Sequence, residues 1–192
     1  VLSDAIWHTS TEYKPHTLID VATLTGAMVI ALGEVFTGVF SVRIPQLSLV
    51  IVQLTNITAD PDELWQGLYE AGQHEHDRMW RMPLDDEFGP QIHGSNADLQ
   101  NVRPSDHSSS FFDKVTEPAD RLVAALLEHN AALFLKPHVN GLEGDEPKIK
   151  WAHLDIAGSM EATRPGAYQE KGMTGRPVRW VHAFEGLLID VS

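Results

Sequence analysis

The sequence predicts an α/β domain: a mostly parallel sheet flanked by helices. Three observations carry this. Short β-branched and aliphatic runs alternate along the chain with stretches of helical periodicity. The first run, Thr17-Leu18-Ile19-Asp20-Val21-Ala22-Thr23-Leu24, is nearly continuous, as suits a strand of a parallel sheet covered on both faces. Gly26 follows at once, and an apolar stretch from Ala27 to Leu32 ends at Gly33. That is strand, tight turn and helix, and ligands of α/β folds sit at the carboxyl ends of such strands.

The remaining elements follow in order. Val1 to Ser10 reads as the tail of a helix, broken at Lys14-Pro15 because proline disfavours helical geometry in the residue before it. Thr37-Gly38-Val39-Phe40-Ser41 is the next strand. Asp62 to His74 is helical, with Leu64, Leu68 and Ala71 on one face. Pro118 to Leu135 carries a second helical pattern. Trp151 to Ala157 is another strand, ending at Gly158. Pro177 to Val191 reads as a closing amphipathic helix: Pro177 sits at its start, and Val178, Val181, Phe184 and Leu188 recur at helical spacing. No internal repeat interrupts this order, and 192 residues is the length of one domain.

Composition excludes several classes of function. With 27 acidic and 14 basic residues the formal net charge is −13. Phosphate binding needs a basic stripe and none is visible, so no nucleic-acid partner is expected, nor an anionic membrane surface. There are no cysteines, which removes disulfides, thiolate metal sites and cysteine nucleophiles and fits a reducing compartment. No apolar run is long enough to span a bilayer. The first residues show no signal peptide, and the missing initiator Met suggests an excerpt from a longer protein. The sequon at Asn56-Ile57-Thr58 reads as chance.

Four blocks carry a family resemblance. They are Ala22-Thr23-Leu24-Thr25-Gly26-Ala27 preceded by Ile19-Asp20; Asp77-Arg78-Met79-Trp80-Arg81-Met82-Pro83-Leu84; Ser95-Asn96-Ala97-Asp98-Leu99; and Trp151 to Gly158 followed by Lys171-Gly172-Met173-Thr174-Gly175-Arg176-Pro177. In this order and spacing they resemble the catalytic domain of the leucyl (cytosol) aminopeptidase family. The resemblance implies a cytoplasmic metallopeptidase that releases leucine-like amino-terminal residues and forms hexamers through this domain. In that family two divalent ions, zinc or manganese, activate the attacking water; paired cations lower its pKa and stabilise the oxyanion. The family's ligands lie in two upstream segments, the second immediately before the residues matching Val1-Leu2-Ser3-Asp4-Ala5. The expectation is therefore that this chain holds no metal ligand and is inactive alone, or is an inactive domain with an oligomerisation role.

The resemblance assigns a substrate pocket. Thr23, Leu24, Thr25 and Gly26 match the loop whose backbone contacts the amino end and scissile peptide of the substrate. Gly26 suits that task because a residue without Cβ admits a close approach. Ala157 and Met160 match residues lining the pocket for the first side chain, and a small residue beside a flexible thioether makes a roomy apolar site.

Other residues invite simpler readings. His74-Glu75-His76 has i, i+2 spacing, which does not place both imidazoles on one helix face, so it reads as solvated surface. His153 reads as structural and Asp85-Asp86-Glu87 as an exposed acidic face. Asp20 and Asp155, in buried-type strands, are candidates to support the pocket from behind. Segments 42–60 and 103–130 depart from the family pattern, the second replacing a Gly-rich turn. They are either intron read in frame or genuine insertions. Leu47 to Leu54 is apolar, uncharged and β-prone, an aggregation signature wherever it is exposed.

Overall fold

A computed structural model of the chain describes residues 1–42, 63–85, 130–142, 149–176 and 178–189. Segments 42–60 and 103–130 therefore lie outside the described residues except at their end residues, Val42 and Asn130.

The chain opens with α1 (Leu2–His8), continued by a wider π-helical turn over Thr9–Tyr13. Lys14 takes a left-handed conformation, φ 46°, and Pro15 follows, so the helical stretch runs past the expected Ser10 to Tyr13 and stops at the predicted break. Then come β1 (Thr17–Ala22), α2 (Ala27–Leu32) and β2 (Thr37–Ser41). After them stand α3 (Glu63–His74) and β3 (Met79–Met82). Residues 130–135 are helical and run into a 3-10 turn at Lys136–His138. β4 (Lys150–Asp155), the two-residue strands β5 (Glu161–Ala162) and β6 (Gly172–Met173), and α4 (Val178–Ile189) complete the chain.

The main sheet has the order β1-β4-β2-β3. β1 pairs with β4 and β2 with β3 in parallel, whereas β2 and β4 are antiparallel. The sheet is thus mostly parallel, as predicted. The strand at 17–24 differs from expectation in two respects. It ends at Ala22, and among the described strands it lies at the edge of the sheet, with only Asp20 buried. The continuous cover expected there belongs instead to β2, buried at every position, and to β4, buried from Trp151 onward. The last two residues read as strand at 151–157 form a turn instead.

Side chains alternate across the sheet, and each face has its own core. Val39, Ala152 and Leu154 face α3 and α4 and pack with Leu68, Ala71, Met79, Trp180 and Phe184. On the opposite face Phe40 packs with Met28 of α2, Met82 and Ala132. Ile6, Leu135, Val139, Leu142, Ile149 and Trp151 extend that layer under α1. The result is a helix–sheet–helix sandwich, the solution open to a sheet that is apolar on both faces.

Three short strands escape sequence reading. β3 is four residues long and lies inside a matching block without a strand-like run of its own. β5 and β6 form an antiparallel pair, Glu161 opposite Met173, too short to leave any periodicity.

Candidate active site

β1 and β4 run parallel in register, Ala22 beside Asp155, so the segments that follow them emerge side by side. Asp155, the last residue of β4, is 1% exposed. Its carboxylate gathers donors from both segments. Oδ1 accepts the Leu24 N–H at 3.3 Å and the Ala157 N–H at 3.0 Å. Oδ2 accepts the Thr25 N–H at 3.1 Å and the Thr25 hydroxyl at 2.5 Å. Ile156 N–H also donates to the Ala22 carbonyl at 3.0 Å, extending the β1–β4 contact past the strand ends.

The sequence-predicted residues thus fall in two adjoining groups. Leu24 and Thr25 are half-buried and bound to Asp155, whereas Thr23 and Gly26 are exposed. Ala157 is half-buried and packs against the Met28–Phe40–Met82 cluster. Met160 is half-buried and follows a tight turn in which its N–H donates to the Ile156 carbonyl at 2.9 Å. Of the two carboxylates named as supports, only Asp155 touches the loop. Asp20 accepts from Trp151 Nε1 at 2.8 Å and from His153 Nδ1 at 2.5 Å, inside the sheet layer.

Gly26 caps α2 at φ −69°, which any residue adopts, and a Cβ there would meet nothing within 4 Å. The chain itself imposes no need for glycine at this position; open space lies over it. The demanding glycine is Gly158. A Cβ there would sit 2.1 Å from the Gly33 carbonyl oxygen. Gly33 closes α2 at φ 64°, in the region that favours glycine. The end of α2 is therefore pressed directly onto the turn after β4.

Residues 171–176 of the Lys171 to Pro177 block support Met160 from behind. Thr174 N–H donates to the Met160 carbonyl at 2.8 Å, and its hydroxyl donates to the Ser159 carbonyl at 2.7 Å. Arg176 Nη1 donates to the Glu34 carbonyl at 3.2 Å, tying the same block to the segment after α2. The Glu34 side chain accepts from the hydroxyl and N–H of Thr163, bonds that hold its carboxyl below the usual range. The resemblance marks this block, but no local signal reveals that its work is to hold Met160.

Among the described residues no three His, Asp or Glu side chains converge as a metal-ligand group. His74 bonds Glu75 at 2.7 Å on an exposed surface, and His76 leaves the helix in a left-handed conformation, φ 55°. Those residues do not fit the pair of ions that the family resemblance implies. A cavity of about 390 Å³, lined by Ser41, Arg81, Met82, Pro83, Leu84 and Asp85, opens at the carboxyl ends of β2 and β3. Because β2 runs antiparallel to β4, that is the opposite end of the sheet from Asp155.

A family model described as "Cytosol aminopeptidase family, catalytic domain" matches residues 1–182. The chain belongs to the cytosol aminopeptidase family. It is 34% identical over 184 residues to a probable cytosol aminopeptidase of Rickettsia rickettsii, covering 96% of this chain and 29% of that protein. The counterpart in Rickettsia bellii is 32% identical over 184 residues, with 28% of its length covered. The chain thus spans less than a third of the length of these curated relatives. Among solved structures, a tomato leucine aminopeptidase K354E mutant aligns at TM-score 0.62 and 25% identity, covering 95% of this chain and 27% of that one. The bottromycin maturation enzyme BotP aligns at TM-score 0.67 and 25% identity, covering 98% and 32%. The α/β fold of this aminopeptidase-family chain is thus shared with both. No helix among the described residues is long and apolar enough to cross a membrane.

Proposed function

We propose that this chain carries the substrate-contacting part of a cytoplasmic aminopeptidase that releases leucine-like residues from the amino ends of peptides. Thr23, Leu24, Thr25 and Gly26 contact the substrate backbone, and Ala157 and Met160 line the pocket for its first side chain. The observation that supports this reading is Asp155, which joins the two predicted pocket segments through one buried carboxylate. Two divalent ions, manganese or zinc, would supply the activated water in the whole enzyme. The described residues offer them no ligand group, so no step of the reaction is assigned to this chain.

The second reading is a catalytically inactive aminopeptidase-like domain that joins a homo-oligomer, a hexamer as the family resemblance implies. Hydrolysis of a leucine chromogenic amide by the 192-residue chain, with manganese or zinc titrated in, separates the cases. We expect no turnover and no stoichiometric metal, together with weak binding of L-leucinamide detected by NMR. Metal-dependent turnover would show that the chain assembles its own metal site. Absence of leucinamide binding, with a stable hexamer in light scattering, would favour the oligomerisation role.

A further inference from the structure

We propose that the cavity at the carboxyl ends of β2 and β3 is a second ligand site, and that it takes a free α-amino acid with an apolar side chain. β2 and β3 are parallel neighbours, and the cavity of about 390 Å³ opens where both end. Ligands of α/β sheets bind at that end of their strands, and the volume falls among those of small-molecule sites, about 300–1,000 Å³. Ser41, the last residue of β2, lines the cavity. It is 6% exposed, and its hydroxyl has no hydrogen-bond partner among the described residues. Buried hydroxyls are ordinarily paired, because an unmade bond leaves the desolvation of the group uncompensated. A polar ligand in the cavity supplies the partner that the described fold does not.

The rest of the lining selects the ligand. Arg81 brings a guanidinium, Asp85 a carboxylate, and Met82, Pro83 and Leu84 bring apolar surface. One charge of each sign beside an apolar wall matches a zwitterion that carries a hydrocarbon side chain. The carboxylate of the amino acid pairs with Arg81 and accepts from Ser41, its ammonium donates to Asp85, and its side chain lies against Met82 and Leu84. A phosphate would meet repulsion from Asp85, a metal ion repulsion from Arg81, and a hydrocarbon would leave Ser41 unpaired. Arg81 also stands 5.8 Å over the Trp65 ring, and both charged residues engage other groups of the protein. Neither has to release them, since a guanidinium has several donors and a carboxylate several acceptor sites. The cavity lies at the opposite end of the sheet from Asp155, so it is separate from the pocket proposed above. Amino acids are also what the proposed reaction releases, and only that connection rests on the aminopeptidase reading.

The test is NMR titration of the 192-residue chain with millimolar L-leucine, with L-leucinamide as the probe without a carboxylate and 4-methylpentanoate as the probe without an ammonium. L-Leucine should shift the amide signals of Ser41, Met82 and Leu84, and each of the other two probes should shift them at least about tenfold more weakly. Ser41→Ala removes a hydroxyl that has no partner among the described residues, so its melting temperature should hold or rise. L-Leucine should nevertheless bind it about tenfold more weakly, the loss of one hydrogen bond to a charged group. A purely structural Ser41 would not move that affinity. Arg81→Gln should weaken binding by at least as much, and S41A carries the test if R81Q does not fold. The proposal is overturned if S41A binds L-leucine as the parent does, or if L-leucine shifts no signal. It is equally overturned if the shifts are confined to Leu24, Thr25 and Met160, which would place leucine in the proposed substrate pocket and leave that reading intact. Equal binding of L-leucinamide or 4-methylpentanoate at Ser41 would also overturn it, because one of the two charges would then have no role. If L-leucine shifts Ser41 as expected while L-leucinamide shifts nothing near Leu24, the second site stands and the aminopeptidase pocket reading falls.

Discussion

His153 donates from Nδ1 to Oδ1 of Asp20 at 2.5 Å, linking residues that stand opposite each other in the β1–β4 register. His153 is fully buried and stacks on Phe40, ring centroids 5.9 Å apart, while Trp151 donates to the second Asp20 oxygen. One carboxylate thus satisfies two donors inside the layer that holds the edge strand to the centre of the sheet. Removing it strands both. Asp20→Ala should cost about 2–6 kcal/mol, since each of two buried donors left without its acceptor costs about 1–3 kcal/mol. Urea unfolding followed by tryptophan fluorescence checks this; a loss below about 1 kcal/mol would mean the pair contributes little.

Glycines 26 and 158 should respond in opposite ways to the same change. A methyl group at Gly158 would meet the Gly33 carbonyl at 2.1 Å, and that obstacle is backbone. Gly158→Ala should therefore cost at least about 1–3 kcal/mol, as overpacking does. At Gly26 nothing lies within 4 Å of the added carbon and φ is −69°. Gly26→Ala should be neutral or stabilise by about 0.4–1 kcal/mol, since it reduces only the freedom of the unfolded chain. Thermal melts of the two variants side by side decide the matter.

Much of the fold is legible in the sequence because periodicity survives wherever an element is long and its burial one-sided. The helix over Glu63–His74 buries Leu68 and Ala71 as its spacing predicts. The edge position of β1 among the described strands is not legible, because Thr17 to Leu24 looks the same whether one neighbour or two lie beside it. β3 and the β5–β6 pair are too short to show a period. In the site, Leu24, Thr25 and Ala157 stand out only through family blocks. What joins them is a carboxylate meeting amides about 130 residues away along the chain, a relationship no local pattern encodes.

Chelation gives a further expectation. The resemblance puts the family's ion ligands in segments upstream of the residues matched here, so treatment with EDTA should leave the melting temperature of the chain unchanged. A fall beyond about 2 °C, reversed by manganese or zinc, would reveal a stabilising ion, since a ligand bound to the native state raises stability by mass action.

Asp77 should make stability depend on pH in the direction opposite to the common one. Its side chain is buried, Arg176 Nε stands 3.6 Å away, and neither carboxylate oxygen has a hydrogen-bond partner among the described residues. Burial raises its pKa above the ordinary 3.8, and the nearby charges of Arg176 and Arg179 only partly oppose this. A raised folded-state pKa means the native chain holds the proton more tightly than the unfolded one. The resulting stabilisation is full below pH 3.8 and is lost as pH rises through the folded value. Asp77→Asn mimics the protonated form and lacks this dependence. The stability of the parent chain relative to D77N should therefore decline as pH is raised from below 3.8 and then level off. Paired urea titrations across that range test it. A difference that rises with pH would mean that Arg176 outweighs burial and that the ion pair, rather than desolvation, governs this carboxyl.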